Sequence, residues 1–117
     1  MSFGFKYGVP PESNLVYDLR FLPNPHFVPS LRAYNGTSPH IHEFLFQQKN
    51  VLDYWTRLKE FLQVTLDSYY EEGRFFVTVS VGCTGGKHRS VCFTEKISAL
   101  NWPNIRFSLT HRDMGQE

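Results

Sequence analysis

The chain has 117 residues, of which 41% are hydrophobic and 20% charged, and a formal net charge of +1. This length predicts a single domain, the composition excludes wholesale disorder, and the small charge gives no indication of a strongly basic nucleic-acid module. No apolar run approaches the roughly 20 residues of a membrane-spanning helix, residues 1–7 lack the apolar core of a secretory signal, and two cysteines make no disulfide scaffold, so we expect a cytoplasmic protein without a membrane partner.

The first third of the chain predicts an arm, a strand and a long loop. Residues 1–13 are typical of an extended arm, and residues 14–21 alternate apolar and polar side chains as a strand does. Residues 22–39 contain four prolines and one glycine. Because a loop of this length exceeds what packing usually requires, we interpret it as functional.

Two helices are predicted next. Ser38 and Pro39 fit the N-cap and first position of a short helix that ends near Gln48. Asn50 is the expected cap of a second helix that stops at Gly73. Its apolar stripe has helical spacing and consists of Val51, Tyr54, Trp55, Leu58, Phe61, Leu62, Leu66 and Tyr69. Residues 50–72 carry a net charge of −3, which we interpret as a solvated helix face.

The last third predicts a strand, a turn, a helix and a strand. Residues 74–82 give the clearest strand, with Phe75, Val77, Val79 and Val81 on one face. A turn over residues 83–87 and a helix over residues 90–100 follow, and the alternation from residue 105 to residue 109 predicts a last strand. Strands that alternate with helices favour an α/β fold with a mostly parallel sheet flanked by helices.

The strongest chemical signal is the turn between the clearest strand and the last helix, Cys-Thr-Gly-Gly-Lys-His-Arg-Ser over residues 83–90. Such a junction directs backbone N–H groups and the positive end of a helix dipole at one concavity. Glycines allow close approach, hydroxyls donate hydrogen bonds, and cations attract phosphate. The candidate anion-binding residues here are Thr84, Gly85, Gly86, Lys87, His88, Arg89 and Ser90.

Polar residues after two other predicted strands are expected to reach the same anion, because the carboxyl ends of parallel strands share one sheet edge. Asp18 and Arg20 end the first strand, and Asn24 and His26 follow in the long loop. Arg112 follows the last strand. These five residues complete the candidate site.

The spacing Cys83-x₅-Arg89-Ser90 also matches that of cysteine phosphatases, which is the alternative function. A helix N-terminus and nearby cations would activate the thiolate. Asp18 and Asp113 are candidate general acids by residue type alone. His40 and His42 lack further ligands, so no metal site is expected, and the two common nucleotide-binding glycine motifs are missing from the sequence.

Five segments together resemble the C-terminal domain of the RapZ-type RNase adapter family. They are residues 2–8 (SFGFKYG), residues 18–26 (DLRFLPNPH), Leu31-Arg32, the run from Gly82 to Val91, and His111-Arg112. The resemblance implies an α/β unit similar to a phosphofructokinase subdomain. It also implies ligand-site positions at Asp18, His26, Thr84, Gly85, Lys87, His88 and Arg89.

The same resemblance implies a regulatory role without catalysis and without a cofactor. A member of the family senses glucosamine-6-phosphate, binds small regulatory RNA, presents it to an endoribonuclease and self-associates as a homo-oligomer. The 117 residues differ from the family's full-length pattern in two ways. They do not include the N-terminal nucleotide-binding domain, as expected either of a free-standing relative or of an excised domain, and residues 113–117 are acid-leaning rather than basic. Because RNA affinity depends on phosphate neutralisation, we expect weak RNA binding by a monomer.

Overall fold

A computed structural model describes residues 1–116, which form one α/β domain around a three-stranded sheet. Its strands are β1 (Ser2–Gly4), β2 (Leu15–Asp18) and β3 (Val79–Cys83). β3 lies in the centre, parallel to both neighbours, and the strand order is β1-β3-β2. The expected parallel α/β architecture is confirmed.

Three α-helices flank the sheet: α1 (Pro39–Phe46), α2 (Lys49–Glu71) and α3 (Arg89–Ser98). The Ser38 hydroxyl caps α1 as predicted, accepting a hydrogen bond from the His40 amide at 3.2 Å. The predicted cap of α2 is wrong by two residues, because the chain turns at Gln48, whose extended backbone separates the two helices. No helix within residues 1–116 is long and apolar enough to cross a membrane.

The core lies between the sheet and the helices. Most of the predicted α2 stripe is buried in it, as Val51, Trp55, Leu58, Leu62 and Leu66. The ring of Phe93 from α3 packs 5.7 Å from both Phe46 and Trp55, centroid to centroid. The prediction that Phe61 belongs to this buried stripe is wrong, because its side chain lies on the flank of the helix and is 69% exposed.

The arm predicted over residues 1–13 contains a strand that sequence periodicity missed. β1 has three residues, all buried, so it shows no alternation of apolar and polar side chains. A short 3₁₀ helix, Phe5–Tyr7, follows it at the carboxyl edge of the sheet. A second 3₁₀ helix, Pro25–Phe27, lies within the long loop.

Two other strand predictions require correction. β3 begins at Val79, and residues 74–78 precede it as extended chain in which Phe75 and Phe76 are exposed. Residues 105–109 form no strand; Ile105 and Phe107 pack against the core while the chain runs over the surface. Alternation of this kind records one buried face and one exposed face, whether or not a neighbouring strand supplies hydrogen bonds.

The segment after residue 109 fastens β1 to α3 through side chains. The His111 ring lies between Ser2 and Glu95, with Nδ1 2.7 Å from the Ser2 hydroxyl and Nε2 2.9 Å from a Glu95 carboxylate oxygen. Backbone contact there is limited to an isolated bridge between Ser2 and His111. The end of the chain therefore seals the edge of the sheet without adding a strand.

Candidate functional site

A cavity of about 450 Å³ opens at the carboxyl edge of the sheet, between the β3–α3 loop, the long loop and the 3₁₀ helix after β1. Seven of the twelve predicted site residues line it: Asn24, His26, Thr84, Gly85, Lys87, His88 and Arg89. Five further residues complete its walls: Lys6, Tyr7, Phe27, Cys83 and Gln116. The structure therefore brings these seven residues together around one cavity at the carboxyl edge of the sheet.

The charge of the lining is one-sided. Lys6, Lys87 and Arg89 contribute three cations, and the described residues that line the cavity include no carboxylate. α3 begins at Arg89, so its N-terminal turn and the positive end of its dipole add to this charge. The cavity is therefore suited to an anion.

The β3–α3 loop is held against β1 by backbone contact rather than by side chains. A Cβ atom on Gly4 would lie 2.5 Å from the carbonyl carbon of Gly85, so this approach requires glycine. Gly86 has φ +78° and packs toward Gly4, outside the cavity. Gly86 therefore shapes the loop, whereas Gly85 lines the cavity.

Arg89 holds the two loops of the site together. Its Nη1 donates to the carbonyl oxygens of Arg20 and Leu22, both at 2.9 Å, and its Nη2 lies 3.4 Å from the Thr84 hydroxyl. The residue is 3% exposed. Burial lowers the pKa of Arg89, although a guanidinium stays charged in a protein. Because carbonyl oxygens occupy Nη1, the Arg89 guanidinium cannot present both of its terminal nitrogens to a phosphate.

His88 is a neutral polar group rather than a cation. Burial lowers the pKa of His88, and the neighbouring Lys87 lowers it further, against the opposing effect of nearby backbone carbonyls. The imidazole is therefore uncharged at neutral pH. Its Nε2 has no hydrogen-bond partner among the described residues, but the atom is buried and closed off from the open space of the cavity.

Asp18 and Arg20 lie at the same sheet edge but outside the cavity lining. Their side chains form an exposed ion pair, with Arg20 Nη2 2.7 Å from Asp18 Oδ2. Hydrogen bonds from Arg20 hold the pKa of Asp18 below its usual value. The Arg20 guanidinium also lies 3.8 Å from the centroid of the Phe5 ring. The pair therefore forms part of the rim.

The structure places Arg112 on the other side of β1. Its Nη2 donates to Asp113 Oδ2 at 2.8 Å and to the Gly8 carbonyl oxygen at 2.6 Å. Asp113 also accepts the Gly4 amide at 2.8 Å. Burial acts to raise the pKa of Asp113, but the bonds from Arg112 and Gly4 outweigh it, and the pKa is lowered. The predicted convergence of Arg112 on the cavity is not observed, because Asp113 and the Gly8 carbonyl oxygen bind its guanidinium beside β1.

Ser90 and both cysteines are buried, and of these three Cys83 alone lines the cavity. Ser90 is fully buried, and its hydroxyl is 3.1 Å from the Cys83 Sγ at the end of β3. Burial raises the pKa of Cys92 to about 12, which leaves that thiol inert. Within residues 1–116, no cluster of three or more histidine, cysteine or acidic side chains could hold a metal ion.

Sequence reasoning missed Lys6 because it missed β1. Polar residues that follow a predicted strand were the signal that indicated the other site residues. Lys6 follows β1 in the same way, but the signal can be read only when that strand is predicted. Tyr7 belongs to the same turn, and Phe27 lies beside His26 with ring centroids 5.7 Å apart. Phe27 is 77% exposed at the mouth of the cavity.

Comparison with known proteins matches nearly the whole chain to one family. A family model described as the RapZ C-terminal domain matches residues 1–115. A nucleotide-binding protein of Streptomyces griseus is 48% identical over 118 residues, which cover 100% of this chain and 36% of that protein. One from Streptomyces coelicolor is also 48% identical, covering 100% and 40%. One from Trichlorobacter lovleyi is 44% identical over 115 residues, covering 97% and 40%. The chain thus spans well under half the length of these relatives.

Proposed function

The chain belongs to the RapZ C-terminal domain family, and from that premise we propose that it is a regulatory adapter domain whose cavity senses a phosphorylated amino sugar such as glucosamine-6-phosphate. The observation that carries the proposal is the lining with three cations and no carboxylate, next to the N-terminus of α3. A sugar phosphate requires both an anion site and neutral polar groups for its hydroxyls. The Thr84 hydroxyl and the Asn24 amide supply such groups.

Replacing Lys87 by alanine is expected to weaken glucosamine-6-phosphate binding at least about tenfold, since a charge-assisted bond to phosphate contributes roughly 1.5–3 kcal/mol. Lys87 suits this test because it lies in the exposed part of the lining, where Nζ donates to the Arg32 carbonyl oxygen at 3.1 Å. Isothermal titration calorimetry measures the effect. Unphosphorylated glucosamine is expected to give no saturable heat.

Arg57→Ala is the matched control, because it removes the same charge from an exposed position on α2. Its affinity is expected to stay within about twofold of the wild type, since long-range attraction is screened beyond about 10 Å. Equal weakening by Lys87→Ala and Arg57→Ala would contradict a phosphate site in the cavity and leave only a general charge effect.

The adapter role includes presentation of a small regulatory RNA to an endoribonuclease by the chain as a homo-oligomer. Arg32 is exposed beside the cavity, where its Nε donates to the His26 carbonyl oxygen at 2.9 Å, and several copies would sum such charges along one RNA. Filter binding at a series of salt concentrations tests this part, since phosphate neutralisation makes affinity fall steeply with salt. A flat dependence of log K on log salt would contradict it.

Phosphatase chemistry is the second candidate, favoured by the position of Cys83 in the cavity lining at the end of β3. Against it, the pKa values of Asp18 and Asp113 are both lowered by arginine partners. Neither carboxyl holds a proton for a leaving group at neutral pH. We therefore expect no turnover of an aryl phosphate. Turnover by the wild type that Cys83→Ser abolishes would contradict this expectation and support the phosphatase function.

A further inference from the structure

The turn that carries Lys6 to the cavity is short and has few bonds of its own. Phe5–Tyr7 is a single turn of 3₁₀ helix without a side-chain cap at its start. Such turns have poor hydrogen-bond geometry, and fixing a lysine side chain costs conformational entropy. Lys6 also shares the cavity lining with Lys87 and Arg89, whose like charges repel it. The position of Lys6 therefore depends on contacts from outside the turn.

The β3–α3 loop supplies part of this support. The Lys6 amide donates to the Thr84 carbonyl oxygen at 3.1 Å. Directly before the turn, Gly4 packs so closely on Gly85 that neither backbone can shift without the other. These contacts hold the start and the middle of the turn from the side of the loop.

Arg112 and Asp113 hold the same turn at both of its ends. Asp113 Oδ2 accepts the amide of Gly4, directly before the turn, at 2.8 Å. Arg112 Nη2 donates to the carbonyl oxygen of Gly8, directly after the turn, at 2.6 Å, and lies 3.3 Å from that of Tyr7. The two side chains also bind each other, with Nε 3.0 Å from Oδ1 and Nη2 2.8 Å from Oδ2. We call Arg112 and Asp113 the ionic clamp.

The ionic clamp lies behind the cavity rather than in its lining. The Asp113 side chain is 5% exposed and that of Arg112 29%, and a pair that is bidentate and mostly buried fixes geometry more strictly than an exposed one. Asp113 also backs the β3–α3 loop, because a Cβ atom on Gly86 would lie 3.0 Å from its own Cβ. The clamp therefore contacts both segments that carry cations to the cavity, without reaching the cavity itself.

We infer that Arg112 and Asp113 are positioning residues of the anion site, and that they act on the ligand through Lys6. The inference rests on the proposed function, since it takes the bound anion to be the sugar phosphate. Because the clamp fixes both ends of the turn, the Lys6 ammonium meets the phosphate with little further loss of conformational freedom. Without the clamp the turn would have to be ordered when the ligand binds, and the affinity would fall by that cost.

A double-mutant cycle between Arg112 and Lys6 tests the inference, with affinity for glucosamine-6-phosphate measured by isothermal titration calorimetry. Lys6→Ala is expected to weaken binding at least about tenfold, and Arg112→Ala about fivefold. In the double variant, Arg112→Ala is expected to add less than about twofold to the effect of Lys6→Ala, because the lysine through which it acts is gone.

Glu95→Ala is the matched control for the cycle. It removes the carboxylate that lies 2.9 Å from the ring of His111, the residue next to Arg112, and leaves the contacts of the turn intact. Its affinity is expected to stay within about twofold of the wild type, because Glu95 contacts neither the turn nor the cavity lining.

Amide hydrogen exchange of the ligand-free protein separates positioning from general destabilisation. In Arg112→Ala, the increase in exchange rate at the Lys6 amide is expected to exceed by at least about tenfold the increase at the Leu19 amide, which bonds to β3 at 2.8 Å. Asp113→Asn keeps one acceptor and removes the charge, and it takes the place of Arg112→Ala in both measurements if that variant fails to fold.

The outcomes separate the ionic clamp from the proposed function. Loss of affinity in Arg112→Ala that disappears in the Lys6→Ala background supports the clamp. Equal loss in both backgrounds, or wild-type affinity in either single variant, overturns the clamp and leaves the proposed function standing if Lys87→Ala weakens binding. Equal increases in exchange at Lys6 and Leu19 also overturn it, since the pair then only stabilises the fold. Absence of binding by the wild type overturns both.

Discussion

Replacing Arg89 by alanine is expected to lower the free energy of unfolding by about 3 kcal/mol, and the Tm by about 15 °C. The variant leaves the part-buried carbonyl oxygen of Arg20 and the buried carbonyl oxygen of Leu22 without their donor, and it opens a void where the guanidinium lay. Buried acceptors that lose a charged donor carry their full desolvation cost. Urea denaturation and thermal unfolding followed by circular dichroism measure the change.

Arg57→Ala is again the control, with an expected change within about 0.5 kcal/mol because the residue is exposed. An Arg89→Ala protein as stable as this control would show that the guanidinium serves the ligand rather than the fold. Because we expect Arg89→Ala to destabilise the fold, loss of ligand binding in this variant would not identify the binding site. Lys87→Ala is the better choice.

Replacing Gly4 by alanine is expected to cost about 3 kcal/mol of stability and to abolish sugar-phosphate binding at concentrations that saturate the wild type. The new Cβ would meet the carbonyl carbon of Gly85 at 2.5 Å, and neither β1 nor the β3–α3 loop has a flexible side chain there that can move aside. The loop must therefore shift, and the lining moves with it. Chemical denaturation and calorimetry of the same preparation give both quantities.

Gly85→Ala is the control for this clash, since it adds the same methyl group to the other side of the contact. Nothing lies within 4 Å of a Cβ at residue 85, and its φ lies outside the left-handed region. Its stability is expected to stay within about 0.5 kcal/mol of the wild type. If Gly4→Ala were equally stable, the close packing of β1 on the loop would be wrong.

Sequence patterns predicted the elements whose side chains divide into one buried and one exposed face. α2 is the clearest example, since Trp55, Leu58 and Leu62 follow the helical spacing and are buried. β1 was not predicted, because a strand that is buried on both faces shows no alternation of apolar and polar side chains. The strand prediction for residues 105–109 is wrong for the opposite reason. These residues do alternate, but the alternation arises because one face packs on the core, and no neighbouring strand pairs with them.

The candidate site was predictable where it depended on loop chemistry and unpredictable where it depended on tertiary contacts. Thr84, Gly85 and Lys87 follow a strand and precede a helix, and that order alone places them at the cavity. The carbonyl partners of Arg89 are 67 and 69 residues away in sequence. The neutral state of His88 depends on its burial by the long loop. The residues next to His88 in the sequence do not predict this burial.

The central claim is that the cavity at the carboxyl edge of the sheet binds the sugar phosphate, and ¹⁵N chemical-shift mapping of the wild type tests it most directly. We predict that glucosamine-6-phosphate shifts the backbone amides of residues 84–89 and of Lys6 in a saturable manner, while amides of residues 67–76 at the opposite end of the sheet stay unchanged. The absence of shifts in residues 84–89 at saturating ligand, or shifts confined to the opposite end of the sheet, would contradict the claim.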